Sequence, residues 1–320
     1  MGTLRKIAAV ILLFLILPGT ASCNSASKKP ENQPPKKAPE VAKYKEEPTI
    51  TLYRSKTGKK ETLKLEEYIK GVVAAEIGSE FPAEALKAQA IIARTMTLNL
   101  IEYEGGTQST HQTDASDDHT EFQAYDESKI DEKISQAVEA TRGQVLVHNG
   151  KFIYAVYHSC SKGRTATLEE GMPNLAKVAS AYITSVTTDG LKNAPGQYKD
   201  WTVKVPKAKI KEIMGPSSGS LDDIKIAKKG PSGRALTITA GDASISGPDL
   251  RQEIGFDKLY STQLTSIEPE GDYMVFKGDG WGHGVGMEQW GAYTMAEAGK
   301  KAQEIVKHYF PKAQLTKLYD

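Results

Sequence analysis

Residues 65–96, LEEYIKGVVAAEIGSEFPAEALKAQAIIARTM, constrain the fold more than any other stretch, because they spell two helices back to back. Leu65, Tyr68, Ile69, Val72 and Val73 recur at the three- and four-residue spacing of one helix face, and the next position on that face is Glu76. A carboxylate falls where an apolar residue belongs. Gly78 stops the first helix, Ser79 offers a cap, and Pro82 suits the first turn of a second helix running through Leu86, Gln89, Ile92, Ala93 and Met96. Two readings of Glu76 stay open from the pattern alone. Against apolar neighbours its charged form is disfavoured, its pKa rises, and the neutral acid can donate a proton near pH 7. At a fraying helix end it is instead a solvated residue paired with Lys70 or Lys87.

The chain has 320 residues, 39% apolar and 25% charged, enough for one large or two ordinary domains. A net charge of +1 argues against a nucleic-acid surface. Arg5 and Lys6 precede an apolar run from Ile7 to Leu17, and Pro18-Gly19 with small residues leads to Cys23, the pattern of a signal sequence that is short for a membrane span. Thr20-Ala21-Ser22-Cys23 resembles a bacterial lipoprotein cleavage site, which would leave a lipid-modified Cys23 as the new N-terminus. Ordinary cleavage nearby and an uncleaved anchor are the alternatives; all three put the body outside the membrane. With Cys23 set aside, Cys160 is alone, so no intrachain disulfide is expected. Residues 24–48 are rich in Lys, Pro, Glu and Ser and read as a disordered tether, leaving 49–320 as the folded part.

Within that part, Thr49 to Tyr53 is a short β-rich run and residues 55–60 a polar turn. Residues 105–123 are polar and unperiodic and read as a surface loop. His111, Asp114, Asp117, Asp118 and His119 in it match no known metal-ligand spacing and read as a solvated acidic loop. A helix is expected over 130–140, then a hairpin in which Asn149-Gly150 joins 145–147 to 152–157. The hairpin delivers His158, Ser159 and Cys160 to a loop containing Arg164. With neither G-x-S-x-G nor a cysteine-protease context around them, these residues read as structural or substrate-contacting rather than nucleophilic. Residues 181–263 mix strands (201–205, 235–239) with helices (207–214, 247–254) and read as scaffold around a cleft. Residues 278–292, GDGWGHGVGMEQWGA, hold six glycines in fifteen positions, which permits positive φ and close backbone approach to a ligand. Trp281 and Trp290 flank His283; indole faces beside polar groups suit a sugar ring, or else fill a core. Helices are expected over 290–298 and 302–310.

Four blocks are similar to the stage II sporulation protein D (SpoIID/LytB) family: EYIKGVVAAEIGSEFPAEALKAQAIIARTM at 67–96, ATRGQVLVHNGKFIYAVYHSCSKGRT at 140–165, SISGPDLRQEIGF at 244–256 and GWGHGVGMEQWGAYTMA at 280–296. The likeness covers nearly all of residues 49–320. It implies a lytic transglycosylase acting on peptidoglycan glycan strands already stripped of their stem peptides, cutting between N-acetylmuramic acid and N-acetylglucosamine without water. It implies Glu76, the carboxylate of the A-A-E motif, as the catalytic acid. A neutral Glu76 would protonate the departing glycosidic oxygen, then take the proton from the muramyl 6-hydroxyl as a 1,6-anhydro ring closes, so one carboxyl group suffices. His283, Gln289, His158, Ser159, Arg164 and Trp281 lie in the matching blocks and are the expected substrate contacts. Backbone amides of the glycine-rich loop or His283 would stabilise developing charge, with structural packing of that loop as the alternative.

Three departures from the family pattern bear on the site. Glu288 stands where the family usually has Ser, and is expected to alter the cleft rim or its preferred pH. Glu169-Glu170-Gly171-Met172-Pro173 replaces a tryptophan-containing segment. Where some relatives hold zinc through cysteines, the nearest positions here are Ser116 and Phe122, so no metal or cofactor is expected. The expected partners are glycan strands, a cell-wall amidase or engulfment machinery, and the membrane through the N-terminal anchor; no nucleic acid is expected. A second functional class comes from LytB-type relatives regarded as amidase enhancers, in which the same cleft holds glycan without cutting it. The expected architecture is a single mixed α+β domain with antiparallel strands and the two N-terminal helices flanking a long substrate groove, on the extracytoplasmic face of the membrane. A split into two subdomains near residue 180 is the alternative.

Overall fold

The computed structural model describes residues 38–320; the apolar leader, Cys23 and residues 24–37 of the expected tether lie outside the described residues. The remainder of that tether is part of the fold. Pro39–Ala42 form a short helix whose Val41 is fully buried, and the Tyr44 ring packs on Phe152 while its hydroxyl donates to Glu102. Two large side chains among the lysines and prolines suffice to dock it.

Strands β1 (Thr49–Arg54) and β2 (Lys59–Lys64) form an antiparallel hairpin. β2 is not expected from the sequence: in KKETLK only Leu63 is half-buried, so this edge strand carries charge where periodicity would be sought. Helix α1 (Leu65–Glu76) comes next and buries Leu65, Tyr68, Ile69, Val72 and Val73, the face that the spacing predicts. Helix α2 (Ala83–Glu104) runs through the main core and is buried around nearly its whole circumference, which a helix tolerates only when other elements enclose it. Leu86, Ile91 and Ile92 are fully buried there, each contributing about 1.5–3 kcal/mol. Gly105 at φ +77° ends the helix with a left-handed cap, its N–H donating to the Leu100 carbonyl.

One buried ion pair ties this centre together. Arg94 (0% exposed) on α2 donates through Nε to Glu66 (2% exposed) on α1 at 3.0 Å. The same carboxylate accepts from the Gly143 N–H at 3.1 Å and the Tyr319 hydroxyl at 2.7 Å. Burial alone would push the Glu66 pKa up; Arg94, Tyr319 and Gly143 outweigh it and hold it below the ordinary value.

Residues 105–123 depart from the expected surface loop. Strand β3 (Ala115–Ser116) pairs parallel with β1, and Thr107, Thr113, Ser116, Phe122 and Gln123 are buried. Asp114 accepts from the Thr51 N–H, Asp117 pairs with Arg54 at 3.3 Å, and His111 stacks on Tyr53. Asp114, Asp117 and His111 therefore stitch the loop to β1, while Asp118 bonds within the loop to Thr120 and His119 stays exposed. Helix α3 (Glu132–Ala140) is capped by Asp131, whose side chain accepts from the Ile134 N–H. Asn149 and Gly150, both at positive φ, turn β4 (Gln144–His148) into β5 (Lys151–Phe152). That hairpin ends at Phe152, well short of residue 157. The chain leaves it, and β6 (Tyr157–His158) pairs parallel with Met287–Glu288 instead.

Much of the region 181–263, expected as scaffold around a cleft, joins the strands over 264–278 in a core of its own. Strands Trp201–Pro206, Leu264–Glu270 and Tyr273–Gly278 form one antiparallel sheet, and Lys225–Lys229, Ala235–Ala240 and Ala243–Ser246 another. Together with helices Lys207–Met214 and Gly247–Ile254 they enclose Ile210, Leu250, Met274 and Phe276. Residues 38–320 thus make one compact α+β unit with two hydrophobic cores. Among the described residues no helix is long and apolar enough to cross a membrane.

Candidate active site

Glu76 is the last residue of α1, at the negative end of the helix dipole, where a carboxylate is disfavoured. It is half-buried. Neither lysine that would neutralise it is available, because Lys70 pairs with Glu67 and Lys87 with Glu84. Among the described residues Glu76 has no ion pair. Burial pushes its pKa up, and hydrogen bonds from Tyr157 and Gln289, the Ala124 N–H and the nearby His119 only partly oppose this. The reading as a solvated, lysine-paired helix end is excluded.

The residues that hold Glu76 come from far along the chain. The parallel pairing of β6 with 287–288 sets Met287 opposite Tyr157 and starts helix Gln289–Glu297, which packs on α2, so that Gln289 Nε2 approaches Glu76 Oε2 at the end of α1 at 3.5 Å. The single Tyr157 hydroxyl hydrogen is shared between Glu76 and Gln123 Oε1, the latter 3.2 Å away, and Gln123 Nε2 donates to Thr97 Oγ1 at 2.7 Å. Segment 122–126 is positioned by Gly71: a Cβ there would lie 2.2 Å from the Tyr125 ring, which packs over the glycine and stacks on Tyr68 with centroids 5.6 Å apart. Tyr157, Gln123 and Gly71 have no sequence signal that marks them as part of a site. Tyr68 has one, since it precedes Glu76 by two helical turns on the same face.

A cavity of about 570 Å³ includes His119, which acts electrostatically on Glu76, in its wall; Glu76, Tyr157 and Gln289 themselves do not line it. It is walled by His119 and Thr120, by 171–175, by Pro248, Arg251 and Phe256 of the second core, and by Gly282 and His283. His283 is a neutral ring: burial, with Arg251 adding to it, brings its pKa down to about 3. Its Nδ1 accepts from the Val285 N–H at 3.1 Å, and the ring is hydrogen-bonded to the Tyr157 backbone. It can offer polarity to this cavity, not positive charge. Trp281 stacks on Tyr260 with centroids 4.3 Å apart and keeps partial exposure.

The other expected contacts lie elsewhere. His158 is buried, with Nδ1 bonded to the Val285 carbonyl at 3.1 Å and Nε2 to Ser161 Oγ at 2.7 Å. Both ring nitrogens are occupied, so it supports the glycine-rich loop from behind. Ser159 is half-buried and its carbonyl accepts from the Trp290 N–H. Arg164 is exposed and bonds Ser185. Burial pushes the Cys160 thiol well up, and the nearby Glu288 adds to this, which is the opposite of what a nucleophile needs.

Glu288 is not at a rim. It is fully buried and accepts from the Ser161 N–H at 2.7 Å and from the Thr188 hydroxyl, with its pKa raised to about 7 by burial. At two of its positions the glycine run follows the alternative of structural packing. At Gly284 (φ +86°) a Cβ would meet the Arg234 guanidinium at 2.3 Å, and at Gly286 (φ +75°) the Val156 carbonyl oxygen at 2.1 Å. These glycines admit the protein's own groups. Glu170, in the segment replacing the tryptophan-containing one, is buried and accepts from the Ser232 N–H at 2.8 Å, tying 167–171 to the second core. Among the described residues no group of three or more His, Cys, Asp and Glu side chains is arranged to hold a metal ion.

The sequence that builds this site matches a known class of protein. The family model described as stage II sporulation protein, SpoIID, matches residues 53–148. Stage II sporulation protein D of Bacillus subtilis (strain 168) is 32% identical over 337 aligned positions, covering 98% of this chain and 94% of that protein. The stage II sporulation protein D of Bacillus amyloliquefaciens is also 32% identical, over 83% of this chain and 78% of its own length. The chain belongs to the SpoIID family. A protein named amidase enhancer, also from Bacillus subtilis (strain 168), is 27% identical over 78% of this chain and 40% of that protein.

Proposed function

We propose that this protein is a lytic transglycosylase that cleaves the bond between N-acetylmuramic acid and N-acetylglucosamine in glycan strands lacking stem peptides, leaving 1,6-anhydro-muramic ends. The observation that carries this reading is Glu76, raised in pKa by burial, free of any lysine or arginine partner among the described residues, and held by Tyr157 and Gln289. Such a group donates a proton as a neutral acid and can take one back as a carboxylate.

A hydrolase would need a second carboxylate at the bond. Glu288 is buried behind the glycine-rich loop and Asp117 is paired with Arg54, so neither supports that alternative. In this reading the substrate occupies the cavity bounded by Gly282 and His283. Cys23 carries the lipid anchor and places the domain at the outer membrane surface, next to the wall. Incubating the protein with intact and with amidase-stripped peptidoglycan, followed by mass spectrometry, tests the reading: anhydro-muramic ends from stripped strands are expected, and reducing-end sugars would refute it.

The similarity to a protein named amidase enhancer favours a second reading, in which the same surface holds glycan for a partner amidase. Stimulation of an amidase by Glu76→Gln protein as strongly as by wild type, with no glycan products from either, would select it.

A further inference from the structure

We propose that Arg251 reads the free lactyl carboxylate of a muramic acid residue bound in the 570 Å³ cavity, and so makes the protein selective for strands without stem peptides. This rests on the glycan reading above. Arg251 sits on helix Gly247–Ile254, lines the cavity, and is 7% exposed. Its Nε donates to the Leu259 carbonyl at 2.8 Å and Nη2 to the Phe256 carbonyl at 3.4 Å, while the guanidinium lies 4.7 Å from the Phe256 ring centroid. Nη1 has no hydrogen-bond partner among the described residues. Among those residues no carboxylate is in ion-pair contact with it either.

A desolvated cation without a counter-ion is costly, and proteins ordinarily neutralise it. Arg94 shows the ordinary arrangement, pressed against Glu66. Around Arg251 the acting charge is a second cation, Arg234, and burial with this repulsion brings its pKa down to about 10. Asp249 lies at the cavity rim but is exposed and makes no ion pair with it. Thr262, 3% exposed, lines the same cavity, and its Oγ1 is buried with no partner. A cationic edge and an unpaired hydroxyl in one cavity are complementary to a carboxylate. Removing a stem peptide by amide hydrolysis creates one, whereas the amide of an intact strand is neutral and bulkier.

The test uses the full chain carrying Glu76→Gln, to keep strands whole, and measures binding to peptide-free glycan as the free acid and as its lactyl methylamide. The free acid should bind roughly 10- to 100-fold more tightly, the range for a charge-assisted hydrogen bond in a buried site. Adding Arg251→Gln should lower affinity for the free acid to that for the methylamide and leave the latter unchanged; Arg251→Lys should keep part of the preference, which a purely structural arginine would not. Equal binding of both strands by the parent protein overturns the proposal without recourse to a variant. So does a preference that survives Arg251→Gln in a folded protein. Binding of neither strand removes the glycan reading itself, a separable result.

Discussion

Replacing Arg94 by Met keeps much of the side chain's reach but strips the buried Glu66 carboxylate of its cation. Glu66 then keeps only the Gly143 N–H at 3.1 Å and the Tyr319 hydroxyl at 2.7 Å, both neutral. Breaking a buried pair by removing one partner costs about 3–5 kcal/mol, because the surviving charge is left in a medium that cannot solvate it. With Arg94 at 0% and Glu66 at 2% exposure, water offers no relief, so the upper part of that range applies. The double variant Arg94→Met, Glu66→Gln should recover most of the loss, since a neutral amide oxygen still accepts from Gly143 and Tyr319. The pH dependence has a definite sign. In the wild type the Glu66 pKa is depressed, so its contribution is present above the unfolded pKa and lost as pH falls through the folded one. In Arg94→Met the carboxyl is buried without a cation, its pKa rises, and acidification relieves the defect. Urea titrations followed by tryptophan fluorescence at pH 7 and pH 5 measure both effects. A loss below about 1 kcal/mol at pH 7, or a double variant no better than the single one, would refute the electrostatic account.

The geometry around Glu76 and Glu288 makes further outcomes specific. Tyr157→Phe removes a hydrogen bond that favours the Glu76 carboxylate, so the Glu76 pKa should rise further and the alkaline limb of the pH–rate profile should move to higher pH; a limb that moves down would contradict the arrangement. Gly71→Ala should cost about 1–3 kcal/mol and lower activity by pushing Tyr125 off Tyr68 and shifting segment 122–126 away from Glu76, visible in thermal melts and turnover. Glu288 has a folded pKa raised from 4.5 to about 7, so its contribution is full below pH 4.5 and lost as pH rises through 7. Glu288→Gln should flatten stability over that window, and an unchanged slope would place the titration elsewhere.

The central helices are legible in the sequence because their apolar spacing is regular, and Glu76 stands out as an interruption of it. Helices 207–214 and 247–254 are legible for the same reason, with Gly215 and Gly255 marking their ends. Strand β2 is not, because an exposed edge strand has no buried face to impose alternation. The helix carrying Val41 is hidden in a stretch whose average composition is that of a tether. The site is legible only in part. Tyr157 lies one residue before the conspicuous His158-Ser159-Cys160 run, and its meeting with Glu76 depends on the parallel pairing of β6 with 287–288, a contact across more than a hundred residues with no local signature. His158 and Glu288 mislead in the opposite way: their types suggest chemistry, but the fold turns both inward behind the glycine-rich loop. Arg251 carries no signal in the sequence, because an arginine on a helix is ordinary until its lack of a counter-ion is seen.

The most direct test of Glu76 as the acid is turnover of amidase-stripped peptidoglycan by the wild type and by Glu76→Gln, with products identified by mass spectrometry and folding checked by circular dichroism. The amide keeps the size of the side chain and one accepting oxygen but cannot donate and recover the proton. The account predicts anhydro-muramic products from the wild type and a rate roughly 100- to 10,000-fold lower from Glu76→Gln, the usual contribution of general acid–base catalysis. A folded Glu76→Gln protein that turns over these strands within a few-fold of wild type would contradict it.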